Sequence, residues 1–477
     1  MSYIGVNVPG LSTAELALVN KLLKQLSDKS AGNRRRNKLY EGREAVRLLG
    51  AAIPNKYANA ANIIGWPAKA VDLLADRSVL TAVDSETEDL GIDELARANE
   101  LRVEVSSAIT GMLLHGVSFL VSGKGDQAQN EPRGLLHGVA ATDGTGEWNA
   151  RSRKLDNFIS VHDRGDDGRV AAFTLYLPSV TISCDRYLGH WRVRRTNGTG
   201  EVPVEPLRYR PLTGSRPYGR SRITQPVIGL TRSAMRVAIR MEGHADIYSV
   251  PQLLALGATA EDLSRPDGGS AIGSVIGALY GIPDDDQAAP GTERAHVQQI
   301  RSEPPTAHVT QLRQLIQLFS GETSIPVSSL GISDMANPTS ADSYLASRED
   351  LISAAVAVMD GITYAIERAV ARSLAYQHEL DKAPADWKLS ARWRPAAHLS
   401  HASKADAGAK QLGALPWLAD SPLGPELVGL TEQQQKRAAA YQEKAQAASL
   451  LDKLLDASEP SLRMPESEAN DLGLEEK

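Results

Sequence analysis

Residues 217–257, PYGRSRITQPVIGLTRSAMRVAIRMEGHADIYSVPQLLALG, decide how this chain is read. Thr224 is placed to cap a helix, and Pro226 falls in its first turn, where a missing N–H costs nothing. Apolar residues then recur at Val227, Leu230, Ala234, Val237, Ala238, Met241 and Ala245, the spacing of one helical face. Such a helix, from Gln225 to Tyr248, spans roughly 36 Å at about 1.5 Å per residue. Its other face carries Arg232, Arg236, Arg240 and His244, each four residues from the next. Like charges at that spacing weaken an isolated helix. The stripe is therefore either a solvated basic face or one matched by carboxylates or phosphates on a neighbour. Pro251 biases Val250 away from helical geometry and ends the helix.

Composition bounds the rest. A chain of 477 residues has room for two or three domains with real cores. Its single cysteine, Cys184, excludes an internal disulfide framework and suits a reducing compartment. No apolar run is long enough to cross a bilayer, so no membrane partner is expected. The opening MSYIGVNVPGLSTAE has neither a basic nor an apolar signal region. A net charge of −6 argues against tight general binding to nucleic acid, because that affinity comes from neutralised phosphates. The charge is segregated, however. Between Arg186 and Arg240 arginines far outnumber the two acids, Glu201 and Glu205, while acid collects at 84–94, at Asp284-Asp285-Asp286 and beyond Asp456.

Upstream of the decisive stretch the pattern is helical. Leu11 to Asp28 reads as an amphipathic helix with Ser12 and Glu15 as a capping pair. Arg34-Arg35-Arg36 reads as a solvated turn. Further helices follow at 68–77 and 92–114, then a buried strand at His115–Val121, where His115 is a packed residue rather than a metal ligand. From Gly134 to Pro211 the period changes to two, which predicts an antiparallel sheet. Gly165-Asp166-Asp167-Gly168 and Asn197-Gly198 are its expected hairpin turns.

Downstream, Gly269, Gly273, Gly277 and Gly281 fall four apart. On a helix they make a flat face for close packing against a subunit or strand; the other reading is a glycine-rich loop. A strand at 297–301 precedes a second long helix, 306–320, closed by Gly321. The segment 321–340, GETSIPVSSLGISDMANPTS, is long for a connector and so a candidate functional loop. A further helix runs from Ala341 to His378, a short strand follows near Trp387–Trp393, and the remainder is helical with a loose acidic tail.

Enzyme signatures are missing. No phosphate-binding loop, no Gly-x-Ser-x-Gly turn and no metal-ligand spacing occur; His398-Leu-Ser-His401 lacks an adjacent Glu. No cofactor or metal is expected, and the chain reads as a protein that acts by shape and assembly.

In order and spacing, several segments resemble the tailed-bacteriophage portal proteins. They are Leu39-Tyr40-Glu41-Gly42 with Ile53-Pro54; Asn62-Ile63-Ile64 with Ala70–Arg77; His115–Val121; Tyr218-Gly219-Arg220-Ser221-Arg222-Ile223; and Ile325-Pro326-Val327 through Asn337-Pro338-Thr339-Ser340-Ala341. The resemblance covers residues 39 to about 375. It implies an α+β portal fold, mainly helical, with an inserted antiparallel β region, long stem helices, a small α/β clip and a helical C-terminal crown. Mapped here, 1–222 is wing, 223–249 first stem helix, 250–305 clip, 306–320 second stem helix and 321–340 tunnel loop. Residues 341–400 return to the wing, and 401–477 form crown and tail.

The implied function is a dodecameric ring at one capsid vertex through which double-stranded DNA is packaged and ejected. The implied partners are the terminase large subunit, major capsid and scaffolding proteins, and a head–tail connector. The implied location is the portal vertex of the virion, after assembly in the host cytoplasm. Ile325, Pro326, Val327, Asn337 and Pro338 would belong to the tunnel loop, and Gly269, Gly273, Gly277 and Gly281 to clip packing. Arg232, Arg236, Arg240 and His244 would meet carboxylates of adjacent subunits or DNA. The alternative is another head–tail ring or scaffold-type virion protein without DNA passage.

Overall fold

The computed structural model describes residues 5–44, 64–85, 90–248, 252–256, 279–282, 296–300, 304–331, 346–397, 401–421 and 423–458. It divides into two units, Met1–Ala396 and Ala397–Lys477.

The first unit opens with α1 (Thr13–Tyr40). Ser12 Oγ accepts from Glu15 N at 3.3 Å, and the Glu15 carboxylate accepts from Ser12 N at 2.8 Å, a reciprocal capping box. The helix continues well past Asp28 and takes in Arg34-Arg35-Arg36, which corrects the turn expected there. Nothing between Lys29 and Tyr40 stops it: there is no proline, and arginine is a good helix former.

Next come α2 (Trp66–Ala75), β1 (Leu80–Ser85), α3 (Ile92–Ala98) and α4 (Leu101–His115). The break between α3 and α4 is made by Glu100, held at a left-handed φ of 47°. Gly116, at φ 104°, turns the chain into β2.

Two antiparallel sheets follow. β2 (Val117–Lys124) lies between β3 (Gly134–Ala140) and β9 (Val204–Arg208). The strands β4 (Gly144–Asn149), β5 (Lys154–Arg164), β6 (Val170–Tyr176), β7 (Val180–Tyr187) and β8 (His190–Asn197) form a meander in sequence order. Gly165 and Gly168 close the β5–β6 turn, where Gly165 N donates to Arg169 O at 2.8 Å. Asn197-Gly198 is not a hairpin. The chain leaves β8 there for β9 in the other sheet, and a Cβ on Gly198 would sit 2.4 Å from Pro178 O, so glycine is required by close backbone approach. The β7–β8 turn is instead made by Leu188 and Gly189, at φ 49° and 85°.

The α1 face of Val19, Leu22, Leu23 and Leu26 packs on Ile159, Phe173, Leu175 and Ile182 of the five-stranded sheet. The two sheets meet around Phe119 and Phe158, whose ring centroids are 4.6 Å apart. Each such buried ring contributes about 1.5–3 kcal/mol relative to exposure.

α5 (Gln225–Tyr248) and α6 (Thr306–Thr323) are the two long helices flanking a small sheet of β10 (Gln252–Leu256), β11 (Leu279–Ile282) and β12 (His296–Ile300). β10 is central, parallel to β11 and antiparallel to β12. Gly281 is in β11, opposite Ala255, so it does not belong to a helical glycine face. Gly269, Gly273, Gly277 and Asp284–Asp286 lie outside the described residues. α6 runs through Gly321 to Thr323 and ends on Ser324, at φ 57°, which corrects the glycine stop expected at Gly321.

α7 (Glu349–Gln377) buries Leu351, Ala355, Ile362, Ile366, Ala369, Val370 and Leu374 in a core shared with α2, α4, α5 and α6. β13 (Leu389–Trp393) returns antiparallel to β1. The second unit holds α8 (His401–Ala414), α9 (Gly424–Leu427) and α10 (Glu432–Ser458). Thr431 and Gln434 cap α10 reciprocally, at 2.8 Å and 3.4 Å. The mixture of helix with antiparallel sheet agrees with the α+β expectation.

The β8 edge is tied to the start of α1 by Arg195, whose Nη1 and Nη2 reach the two Glu15 oxygens at 2.7 and 2.8 Å. That hydrogen bonding holds the Glu15 carboxyl down at about 2, well below its ordinary value of 4.5. Because the folded-state value is depressed, the contribution is fully present above about 4.5 and is lost as the pH falls towards 2. Glu15→Gln should therefore lower the thermal midpoint at pH 7 and flatten its decline between those two pH values. Equal acid limbs in variant and parent would count against this tie.

Candidate functional site

The candidate site is the α5–α6 pair and the joint at its base. The pair is antiparallel. At one end Thr224 Oγ1 donates to Glu322 Oε1 at 3.2 Å; at the other the His244 and His308 rings meet at 5.7 Å. Thr224 also accepts from Val227 N at 3.4 Å, so the expected cap is present. The inner face of α5 buries Val227, Ile228, Ala234, Met235, Val237 and Ile239, while α6 contributes Ile316 and Phe319. Phe319 stacks at a tilt on Trp66 of α2, centroids 4.7 Å apart.

The joint is built from Tyr218–Ile223. Gly219 takes φ 78°, and a Cβ there would meet Tyr209 O at 2.2 Å, so only glycine fits. Arg220 N donates to Tyr209 O at 2.9 Å, and Tyr209 N donates to Gly116 O at 3.0 Å. Ser221 Oγ donates to Leu114 O at 2.6 Å, and Arg222 N donates to Leu113 O at 2.8 Å. Thus the Tyr218–Ile223 segment is stitched to the end of α4 at His115-Gly116.

Arg222 itself is buried. Its Nε donates to Ala70 O of α2, its Nη1 to Tyr209 Oη at 3.1 Å, and its Nη2 to Thr323 O at 2.6 Å. Thr323 is the last residue of α6, where the carbonyl has no helical partner and carries the negative end of the helix dipole.

The basic stripe is not uniform. Arg232 is ion-paired with Glu44, which also receives Arg35 Nε at 3.6 Å. Within the subunit its carboxylate thus comes from its own chain. Arg236 Nη2 donates to Ser233 Oγ at 3.0 Å. Arg240 is exposed, and His244 is half-buried beside His308.

The segment after α6 begins inside the protein. Ile325 is fully buried, Pro326 is buried and Val327 is half-buried. Lys69 Nζ donates to Ser329 O at 2.7 Å, pinning a short 3-10 turn, Val327–Leu330, to α2. Ile325 is therefore packed in the core and has no surface to offer within this subunit. Asn337 and Pro338 lie outside the described residues.

The remaining sequence candidates are inert. Burial pushes the Cys184 thiol up to about 11, so it carries no thiolate at neutral pH. Burial likewise brings His115 down to about 4, with a smaller push from Arg36, and it packs uncharged. Among the described residues no group of three His, Cys, Asp or Glu side chains is placed to hold a metal ion. No described helix is long and apolar enough to cross a membrane. Sequence reasoning missed Glu44, and also Glu205 with its partners Arg368 and Arg372, because each partner is more than 150 residues away.

No family model matches the chain. It is 24% identical over 421 residues to a portal protein of Mycobacterium phage L5, covering 85% of this chain and 84% of that one. It is also 24% identical over 410 residues to a portal protein of Mycobacterium phage D29, covering 83% and 81%. Among solved structures, a chain from the neck of a native GTA particle, computed with C12 symmetry, aligns over 82% of this chain and 98% of its own. Identity there is 15% and the TM-score 0.40, a value that does not establish a shared fold. The similarity to the two phage portal proteins runs along most of each chain and agrees with the resemblance carried by the quoted motifs.

Substitutions at Arg222 and Arg232 test the joint and the stripe. Arg222→Met removes the donors to two backbone carbonyls and to Tyr209 Oη, and each orphaned buried acceptor costs ~1–3 kcal/mol. The thermal midpoint should fall by several degrees, with Arg222→Lys intermediate; a midpoint within about 1 °C of the parent would discount the joint. Arg232→Glu should destabilise the isolated subunit, and Arg232→Glu combined with Glu44→Arg should recover part of the loss in a double-mutant cycle.

Proposed function

We propose that the chain is the portal subunit of a tailed bacteriophage, a structural virion component that forms a ring at one capsid vertex. The observation that carries this reading is the similarity to two mycobacteriophage portal proteins along more than four fifths of both lengths. The role is structural rather than enzymatic. On this reading α5 and α6 are the stem, the β10–β12 sheet belongs to the clip, residues 321–340 contain the tunnel loop, and α7 rejoins the wing. Residues beyond 400 form the crown. The ring is dodecameric, passes double-stranded DNA during packaging and ejection, and offers its clip to the terminase large subunit and a head–tail connector. Assembly occurs in the host cytoplasm with capsid and scaffolding proteins.

Physical features support the assignment of the stem. Two long antiparallel helices joined through a small sheet make a stiff element, and the joint at Arg222 fixes its base to the helical core. The Arg232–Glu44 pair neutralises part of the stripe within the subunit. A moderate residual positive charge suits a wall that must not hold a sliding duplex, since phosphate attraction is strong and blind to sequence. Arg232, Arg236, Arg240 and His244 are the candidates for DNA or inter-subunit contact, Arg232 with part of its charge already matched by Glu44.

The test is the native mass of the full chain with end-on electron-microscope averages, in the presence of scaffolding protein. A closed ring of about a dozen copies around an open centre is expected. A small closed oligomer without a central opening would overturn the portal reading in favour of a structural adaptor.

A further inference from the structure

The second unit, Ala397–Lys477, lacks what the first unit has. The first holds three clusters of buried apolar side chains. Among the described residues of the second, no hydrophobic side chain is buried; only Gly408 and Gly424 are. Gly408 is buried because α8 passes close to α9, where a Cβ would sit 2.2 Å from Leu427 O. That contact makes a corner, not a core. Outside it the subunit leaves Leu415, Trp417, Leu423 and Leu430 exposed.

The long helix α10 shows the same lack. From Lys436 to Leu450 every residue is exposed. Helices in proteins draw most of their stability from packing an apolar face, and ordering a chain without burial costs entropy that nothing offsets. Yet the exposed positions are not all polar: Tyr441 is 77% exposed and Leu450 60%. Two features say what covers them. Tyr441 and Leu450 are about two and a half helical turns apart, so they stand on opposite sides of α10. A helix docked on one partner needs one apolar side, whereas a helix between two neighbours in a head-to-tail ring needs two. The charge is also balanced. Between residues 401 and 458 six basic side chains are interspersed with seven acidic ones. Such a surface does not repel its own copy and does not select a strongly acidic or basic partner.

We propose that the second unit is completed by the second units of the two neighbouring copies in the ring, with α10 packed between them, and that it keeps its helical structure only there. This rests on the ring reading given above, and adds that one segment folds as the ring closes. Because the contact is head to tail, one side of each α10 meets the other side of the next. In the separate subunit α10 opens readily, since no buried apolar contact holds it.

The experiment compares the full chain as assembled ring, formed as in the test above, and as separate subunit obtained by dilution. Amide hydrogen exchange is read along both units. Amides of α10 should exchange roughly tenfold or more slowly in the ring, while those of the buried strand β2 differ little. Tyr441→Glu and Leu450→Glu each place a charge where the subunit has only water. The variant subunits should therefore keep the parent's circular dichroism and thermal midpoint, and in the ring each should remove most of the α10 protection. Equal α10 protection in ring and subunit overturns the proposal, because the unit then stands alone. So does an effect from only one of the two substitutions, which makes the contact one-sided and points to a different partner. A ring with an open centre in which α10 exchanges as fast as in the subunit sinks this proposal and leaves the portal reading intact. A chain that forms no ring with an opening sinks both.

Discussion

The guanidinium of Arg222 is the contact on which the placement of the long helices depends. It is a buried cation without a carboxylate, and it is satisfied by two carbonyls and a phenol drawn from three parts of the chain. Only arginine has the geometry for this. Its donors diverge in a fixed plane, whereas a lysine ammonium is a compact point charge that would leave acceptors unmet. The bond to Thr323 O sets the cation at the negative end of the α6 dipole. Since Arg222 precedes α5 by a few residues, one side chain fixes the start of α5, the end of α6 and the flank of α2 together. Trp66 and Phe319, each four residues before one of these two carbonyls, pack their rings 4.7 Å apart and join the same two helices.

Much of the architecture was legible because it rests on local periodicity. α5 begins at the residue its cap and proline indicate, and the β5–β6 turn closes on the glycines that mark it. What failed is equally instructive. Arg34-Arg35-Arg36 reads as solvated by charge alone, yet nothing in its backbone stops a helix, and α1 simply continues. Asn197-Gly198 has hairpin composition, but Gly198 is there to let the backbone pass Pro178, a reason visible only in three dimensions. The hairpin that does form uses Leu188 at positive φ, a residue no turn preference selects.

The candidate site was legible in kind and not in partnership. The Arg232–His244 stripe follows from helical spacing, but Glu44 sits 188 residues from Arg232, and no pattern links them. The same holds for Glu205 with Arg368 and Arg372. Hydrophobic faces announce themselves by period, whereas ion pairs between distant segments depend on how elements dock. Motif residues fared better when their task was backbone geometry: Gly116 and Gly219, from two segments quoted separately in the sequence, meet at Tyr209 and Arg220.

The arginine-rich stretch changes meaning once its partners are known. Arg192 pairs with Asp185, Arg195 with Glu15 and Arg232 with Glu44, while Arg208 lies over the Trp148 ring at 4.1 Å and Arg222 caps carbonyls. Exposed pairs of this kind add little stability each, about 0–1 kcal/mol. Their larger effect is on the field: a charge matched within the subunit attracts distant phosphate weakly, and salt screens the remainder within about 10 Å. Part of the positive charge in a sequence that looks like a polyanion binder is thus matched from within the subunit. Within the subunit, that internal matching lets these arginines order the joints between distant segments: β8 to the start of α1, and α5 to Glu44.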